Sequence, residues 1–151
     1  MANSLLNDKS NLLKTIYEMP SQYAVGAKLA AGVGRGFAGV KKIIVCGMGG
    51  SALYADLLKD YLVQGSFAND ELIFVHRHYG LPKGVKIDSS TLVVASSYSG
   101  NTEESIESLE KALRTKARLL GVATGGKIAQ TCEENKIPFV KIPSGLQPRH
   151  A

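Results

Sequence analysis

Cysteine, aromatic residues and long apolar runs are all scarce in this 151-residue chain, and each scarcity excludes a class of function. Cys46, in a predicted strand, and Cys132, in a predicted helix, are its two cysteines; they form no CxxC and have no histidine at ligand spacing. Reduced structural thiols are therefore expected, and no metal site. Aromatics make up 7% of the chain, and its Lys and Arg are scattered rather than massed. That pattern lacks the stacking platforms of a single-strand binder, so no nucleic-acid partner is expected. No apolar stretch approaches the ~18 residues that a bilayer span needs. The N-terminal MANSLLNDKSN also lacks the basic-then-apolar order of a signal peptide. The expectation is a cytosolic protein with no membrane contact.

What is present describes a folded domain. Apolar residues are 44% and charged residues 21%, outside the range of disordered chains. The length suits one core-forming domain. The net charge of +5 is moderate and suits a small anionic ligand.

Two helical segments are expected first, LLNDKSNLLKTIYEM and PSQYAVGAKLAAG, the second opening with Pro20 in a favourable first-turn position. They give an N-terminal helical segment over residues 1–40, and residues 41–151 form the domain proper. Within it, apolar β-branched runs alternate with amphipathic helices: KKIIVC, SALYADLLKDYLV, ELIFVH, TLVVAS, TEESIESLEKALR, ARLLGVA, KIAQTCEEN and IPFVKI. This alternation predicts an α/β fold with a five-stranded parallel sheet, doubly wound, in the flavodoxin-like order 2-1-3-4-5. Ligands of such sheets bind beyond the carboxyl ends of the strands, near the switch point. Two loops rich in glycine or hydroxyls lie there, GMGGS after the first strand and SSYSGNT after the third, and the predicted order makes them neighbours.

SSYSGNT holds four serine and threonine side chains, more than a turn requires. It runs straight into a helix, whose first turn offers unpaired N–H groups and partial positive charge. Ser97, Ser99 and Thr102 can donate to separate phosphate oxygens, and Gly100 lets the backbone come close. Asn101 with Glu104 three residues on also reads as a capping box. At the first loop, Gly50 can supply an N–H and Ser51 a hydroxyl. Glu103 and Glu104 complement the helix dipole in that first turn rather than acting as a base.

Other motifs fall short. GMGGSA matches a loose dinucleotide fingerprint, but His76 and Arg77 stand where a ribose-binding acid belongs. Arg77 keeps an NADP-binding module open as an alternative. GVATGGKI matches GxxxxGK but ends in Ile128, where a magnesium-holding hydroxyl is required, so Gly125 and Gly126 read as a turn. GGSAL is not a hydrolase elbow. No cofactor is expected. His76, His78 and His150 have no partner carboxylate at any assignable spacing. Arg149, in the terminal GLQPRHA, follows the last strand and is placed to meet an anion.

GMGGS, SYSGNTEE and GLQPR, in this order, resemble the sugar isomerase (SIS) domain, and more closely the N-terminal half of the bifunctional phosphoglucose/phosphomannose isomerases. The resemblance implies Gly50, Ser51, Ser97, Ser99 and Thr102 around a hexose 6-phosphate, with Arg149 near the reacting carbons as the catalytic residue. It implies interconversion of glucose 6-phosphate or mannose 6-phosphate with fructose 6-phosphate through a cis-enediolate. It further implies a second SIS domain carrying a glutamate base and a ring-opening histidine, with subunits paired as homodimers. The chain is then expected to be half of an enzyme and inactive alone. SIS domains also serve as non-catalytic sensors of sugar phosphates attached to helix-turn-helix modules, although nothing before Lys41 reads as a recognition helix.

Overall fold

The computed structural model describes residue 9, residues 11–64 and residues 72–145. The predicted alternation is realised as α1 (Leu12–Ala30), β1 (Lys42–Cys46), α2 (Leu53–Gln64), β2 (Ile73–His76), β3 (Thr91–Ser96), α3 (Glu103–Ala112), β4 (Arg118–Ala123), α4 (Gly126–Glu134) and β5 (Phe139–Lys141). A single 3-10 turn, Gly49–Ala52, leads into α2. All the strand pairs are parallel and the order is β2-β1-β3-β4-β5, as expected from the sequence.

Register explains how both faces become covered. Ile44, Val93 and Leu119 are aligned across the three inner strands, as are Cys46, Ala95 and Gly121. Alternate residues point to opposite faces. Ile44, Cys46, Val93 and Ala95 therefore share one face, where they pack with Leu109 and Ala112 of α3 and Ile128 and Cys132 of α4. Val45, Leu92 and Val94 point the other way, toward Ala55 of α2. β3 is buried at every position, which fits a central strand read as the continuous apolar run TLVVA. Gly121 is needed for close helix-to-sheet packing, since a Cβ there would lie 2.4 Å from Cys132 Sγ.

One expectation requires correction. The N-terminal region is a single helix, α1, with Pro20 inside it rather than two segments with Pro20 at the start of the second. Proline's fixed φ is itself helical, so the chain continues through it at the loss of one backbone donor. In the same turn the Ser21 hydroxyl donates to the Glu18 carbonyl at 2.7 Å. No residue of α1 is buried, and Tyr17 and Tyr23 are 76% and 82% exposed.

Candidate functional site

The loops after β1 and β3 meet as their strand order requires. Gly47 makes the approach possible, because a Cβ on it would lie 2.7 Å from the Ser96 carbonyl. The Ser96 hydroxyl then donates to the Ser51 carbonyl at 2.6 Å, and the Tyr98 amide donates to Ser51 Oγ at 3.0 Å. Ser51 thus accepts from the neighbouring loop and keeps its own proton for another acceptor. Gly50 precedes it in the 3-10 turn.

Within SSYSGNT the hydroxyls are organised rather than loose. Ser97, 1% exposed, accepts the Gly100 amide on Oγ at 3.1 Å and shares a 2.8 Å hydrogen bond with Thr102 Oγ1. The exposed Ser99 accepts the Asn101 amide at 3.2 Å. Ser105, one turn into α3, returns a hydrogen bond to the Ser96 carbonyl at 3.1 Å. Gly100 adopts φ +74°, a left-handed conformation that suits glycine. Ser51, Ser97, Ser99 and Thr102 therefore all lie in two stitched loops at the carboxyl edge of β1 and β3, and the latter three precede the first turn of α3. Hydroxyls placed just ahead of a helix's first turn, whose N–H groups lack intrahelical partners, form an arrangement suited to an anion.

The expected capping box at Asn101 does not form. Thr102 occupies the N-cap position of α3 without a side-chain cap, while Asn101 Oδ1 accepts the Lys127 amide of α4 at 3.0 Å. The α4 turn is drawn in further by Ile128 N–H to Gly100 O and Thr124 N–H to Tyr98 O, both at 3.0 Å. This docking of the third loop was not visible in local sequence spacing. The only available signal was a further glycine pair, Gly125 and Gly126, after a third strand on the same sheet edge.

The surrounding charges are also engaged. Glu103 Oε2 accepts the Tyr79 hydroxyl at 3.2 Å, and that bond, with the charge of Glu104, raises the Tyr79 pKa. Arg77, the candidate for a 2′-phosphate, forms a two-pronged ion pair with Asp56 of α2. His76 and His78 stand edge to face at 5.8 Å, and His76 Nε2 is buried without a hydrogen-bond partner among the described residues. Burial pushes the thiols of Cys46 and Cys132 up to about 11, so neither is a ready nucleophile. Among the described residues no group of three His, Cys, Asp or Glu side chains could hold a metal ion. Nor, among them, is any helix long and apolar enough to cross a membrane. Arg149 and His150 lie outside the described residues.

No protein-family model matches the chain. Among curated proteins, it is 35% identical over 144 residues to a bifunctional phosphoglucose/phosphomannose isomerase of Caldicellulosiruptor bescii, an alignment covering 93% of this chain and 40% of the relative. It is also 32% identical to a D-glucosamine-6-phosphate 4-epimerase of Sulfolobus acidocaldarius, over 78% of this chain and 36% of that protein. The chain spans well under half the length of these relatives. Among solved structures, a phosphoheptose isomerase from Francisella tularensis aligns with TM-score 0.59 at 15% identity, covering 98% of this chain and 90% of its own. A tagatose-6-phosphate ketose/aldose isomerase from Escherichia coli gives 0.55 at 17% identity, over 85% of this chain and 36% of that one. These likenesses bear out the doubly wound sugar-isomerase fold.

Proposed function

Because this chain is a homologue of the bifunctional phosphoglucose/phosphomannose isomerases along 93% of its length, we propose that it is the sugar-phosphate-holding SIS domain of an aldose–ketose isomerase. The substrates in this reading are glucose 6-phosphate or mannose 6-phosphate and fructose 6-phosphate. The observation that carries it is the pair of stitched loops: Ser97, Ser99 and Thr102 immediately precede α3, and Ser51, before α2, is joined to their loop by accepting the Tyr98 amide. Ser51, Ser99 and Thr102 donate to the 6-phosphate, Ser97 and Gly100 shape its seat, and Gly50 adds a backbone N–H.

Isomerisation moves a proton between C2 and C1 through a cis-enediolate. The negative charge that develops calls for a fixed cation, the role we assign to Arg149. Proton removal calls for a carboxylate held at the reacting carbon. Glu103 is bonded to Tyr79 and sits with Glu104 in the first turn of α3, so we place the base and the ring-opening group in a second such domain. Residues 1–40 serve as a helical lead and residues 41–151 as the domain, within a cytosolic enzyme that pairs as a homodimer.

Coupled-enzyme assays with fructose 6-phosphate test the reading. The 151-residue chain is expected to give background turnover. A version extended through a second domain is expected to be active and to lose activity when Arg149 is replaced. Turnover by the short chain at the rate of the extended one would place the base within these residues. A second reading follows from the epimerase relative, because a phosphate seat is indifferent to which carbon reacts. Assays with glucosamine 6-phosphate separate it from the first.

A further inference from the structure

The loop that carries Ser97, Ser99 and Thr102 is fixed at its two ends by β3 and α3, but its middle projects from the sheet edge. What holds that middle is α4. Residue Gly125 occupies the N-cap position of α4 and provides no side-chain cap, so the helix's first amides need acceptors from elsewhere. They find them in the loop: Lys127 N–H on Asn101 Oδ1 and Ile128 N–H on Gly100 O, each at 3.0 Å. Asparagine is among the strongest capping side chains, and here it caps a helix 26 residues away in sequence.

Steric fit shows how closely the two pieces are matched. A Cβ on Gly126 would meet Asn101 Oδ1 at 2.7 Å and Ser99 O at 2.6 Å, and one on Gly100 would meet Gly125 O at 1.8 Å. Neither side tolerates a larger residue without separating. The backbone N–H of Asn101 also donates to Ser99 Oγ at 3.2 Å, so a shift of the Asn101 backbone carries the Ser99 hydroxyl with it.

We infer that Asn101 is a positioning residue for the phosphate loop: it caps α4 and thereby holds Ser99 and Gly100 in the arrangement that receives the anion. The inference rests on the reading of residues 97–102 as the phosphate seat. It assigns the near-miss nucleotide motif GVATGGKI a role, as the buttress of that seat rather than a binding loop of its own.

Calorimetric titration of the 151-residue chain with fructose 6-phosphate and with inorganic phosphate tests it, at a temperature where circular dichroism shows each variant folded. Asn101→Ala is expected to weaken binding roughly three- to tenfold, the scale of a lost cap. Gly126→Ala, which disturbs the same contact from the far side, should weaken it comparably, and the double variant should be little worse than the poorer single. Asn101→Asp keeps an acceptor oxygen in place. Compared with the others at about 0.5 M salt, where the added charge is largely screened, it should recover most of the loss. Unchanged affinity in a folded Asn101→Ala protein, or fully additive losses in the double variant, would overturn the positioning role while leaving the phosphate seat intact. Failure of the unmutated chain to bind either probe would overturn both.

Discussion

Ser97 and Thr102 share a 2.8 Å hydrogen bond across the loop after β3, while Ser97 Oγ also accepts the Gly100 amide. The two hydroxyls carry two protons and spend one between them. When the buried Ser97 donates, the Thr102 proton stays available for an incoming anion. The pair is therefore both a brace and a donor.

That double role separates the serines. Ser97→Ala removes a buried acceptor from an amide and should lower stability by about 1–3 kcal/mol as well as weaken phosphate binding. Ser99→Ala, at an exposed site, should leave stability within about 0.5 kcal/mol. Both Ser99→Ala and Thr102→Val should cost ~1–3 kcal/mol of binding to fructose 6-phosphate, the range for a hydrogen bond to a charged group. Urea melts and calorimetry measure the two quantities. Full affinity in both Ser99→Ala and Thr102→Val would remove the hydroxyls from the phosphate's coordination.

Gly100→Ala should be far more damaging than a usual surface change. Its φ of +74° disfavours any L side chain, and the new Cβ would lie 1.8 Å from Gly125 O. Strain of about 1–3 kcal/mol at such a residue, added to separation of the loops, should abolish measurable binding and lower the urea midpoint. A variant that binds normally would show that the loop has an alternative seating against α4.

Both thiols should be slow to react with a disulfide reagent at pH 8 in the native protein and rapid in denaturant. Their pKa values rise from 9.0 to about 11 because burial disfavours the thiolate. The unfolded chain releases these protons first, so above pH 9 the native state binds more of them. Stability should then fall as pH climbs from 9 toward 11. Replacing both cysteines with alanine should flatten that alkaline limb. Fast labelling of the native protein would contradict the burial of Cys46 and Cys132.

NADP should not stabilise the fold in a thermal-shift experiment, since Arg77 already faces the carboxylate of Asp56. A clear upward shift that vanished in Arg77→Ala would instead promote the dinucleotide reading.

The sheet was legible because short β-branched runs and amphipathic helices have different periods, and their alternation leaves one economical topology. That Ser51 and the hydroxyls of Ser97, Ser99 and Thr102 lie in adjoining loops was legible for a similar reason: both loops end neighbouring strands of that topology. Asn101 was assigned to the wrong helix because a capping box is recognised by a local three-residue spacing, whereas its actual partner, Lys127, comes from the next crossover. Pro20 misled in the opposite direction. Its preference for a first turn is a statistical tendency, and one missing donor did not stop α1. The docking of Gly125 on Gly100 is a steric fact between distant residues that no local pattern encodes.

β3 is paired on both sides and buried along all six residues, and the loop proposed to seat the phosphate begins where it ends. In hydrogen exchange, its amides can open only when the whole sheet does, whereas the exposed tip at Ser99 can fluctuate without disturbing it. The loop thus joins the most deeply buried strand of the sheet to an exposed side chain within three residues, Ser96 to Ser99. A bound phosphate should slow exchange in the strand as well as at the tip, because binding to the native state raises the free energy of the global unfolding through which the strand exchanges.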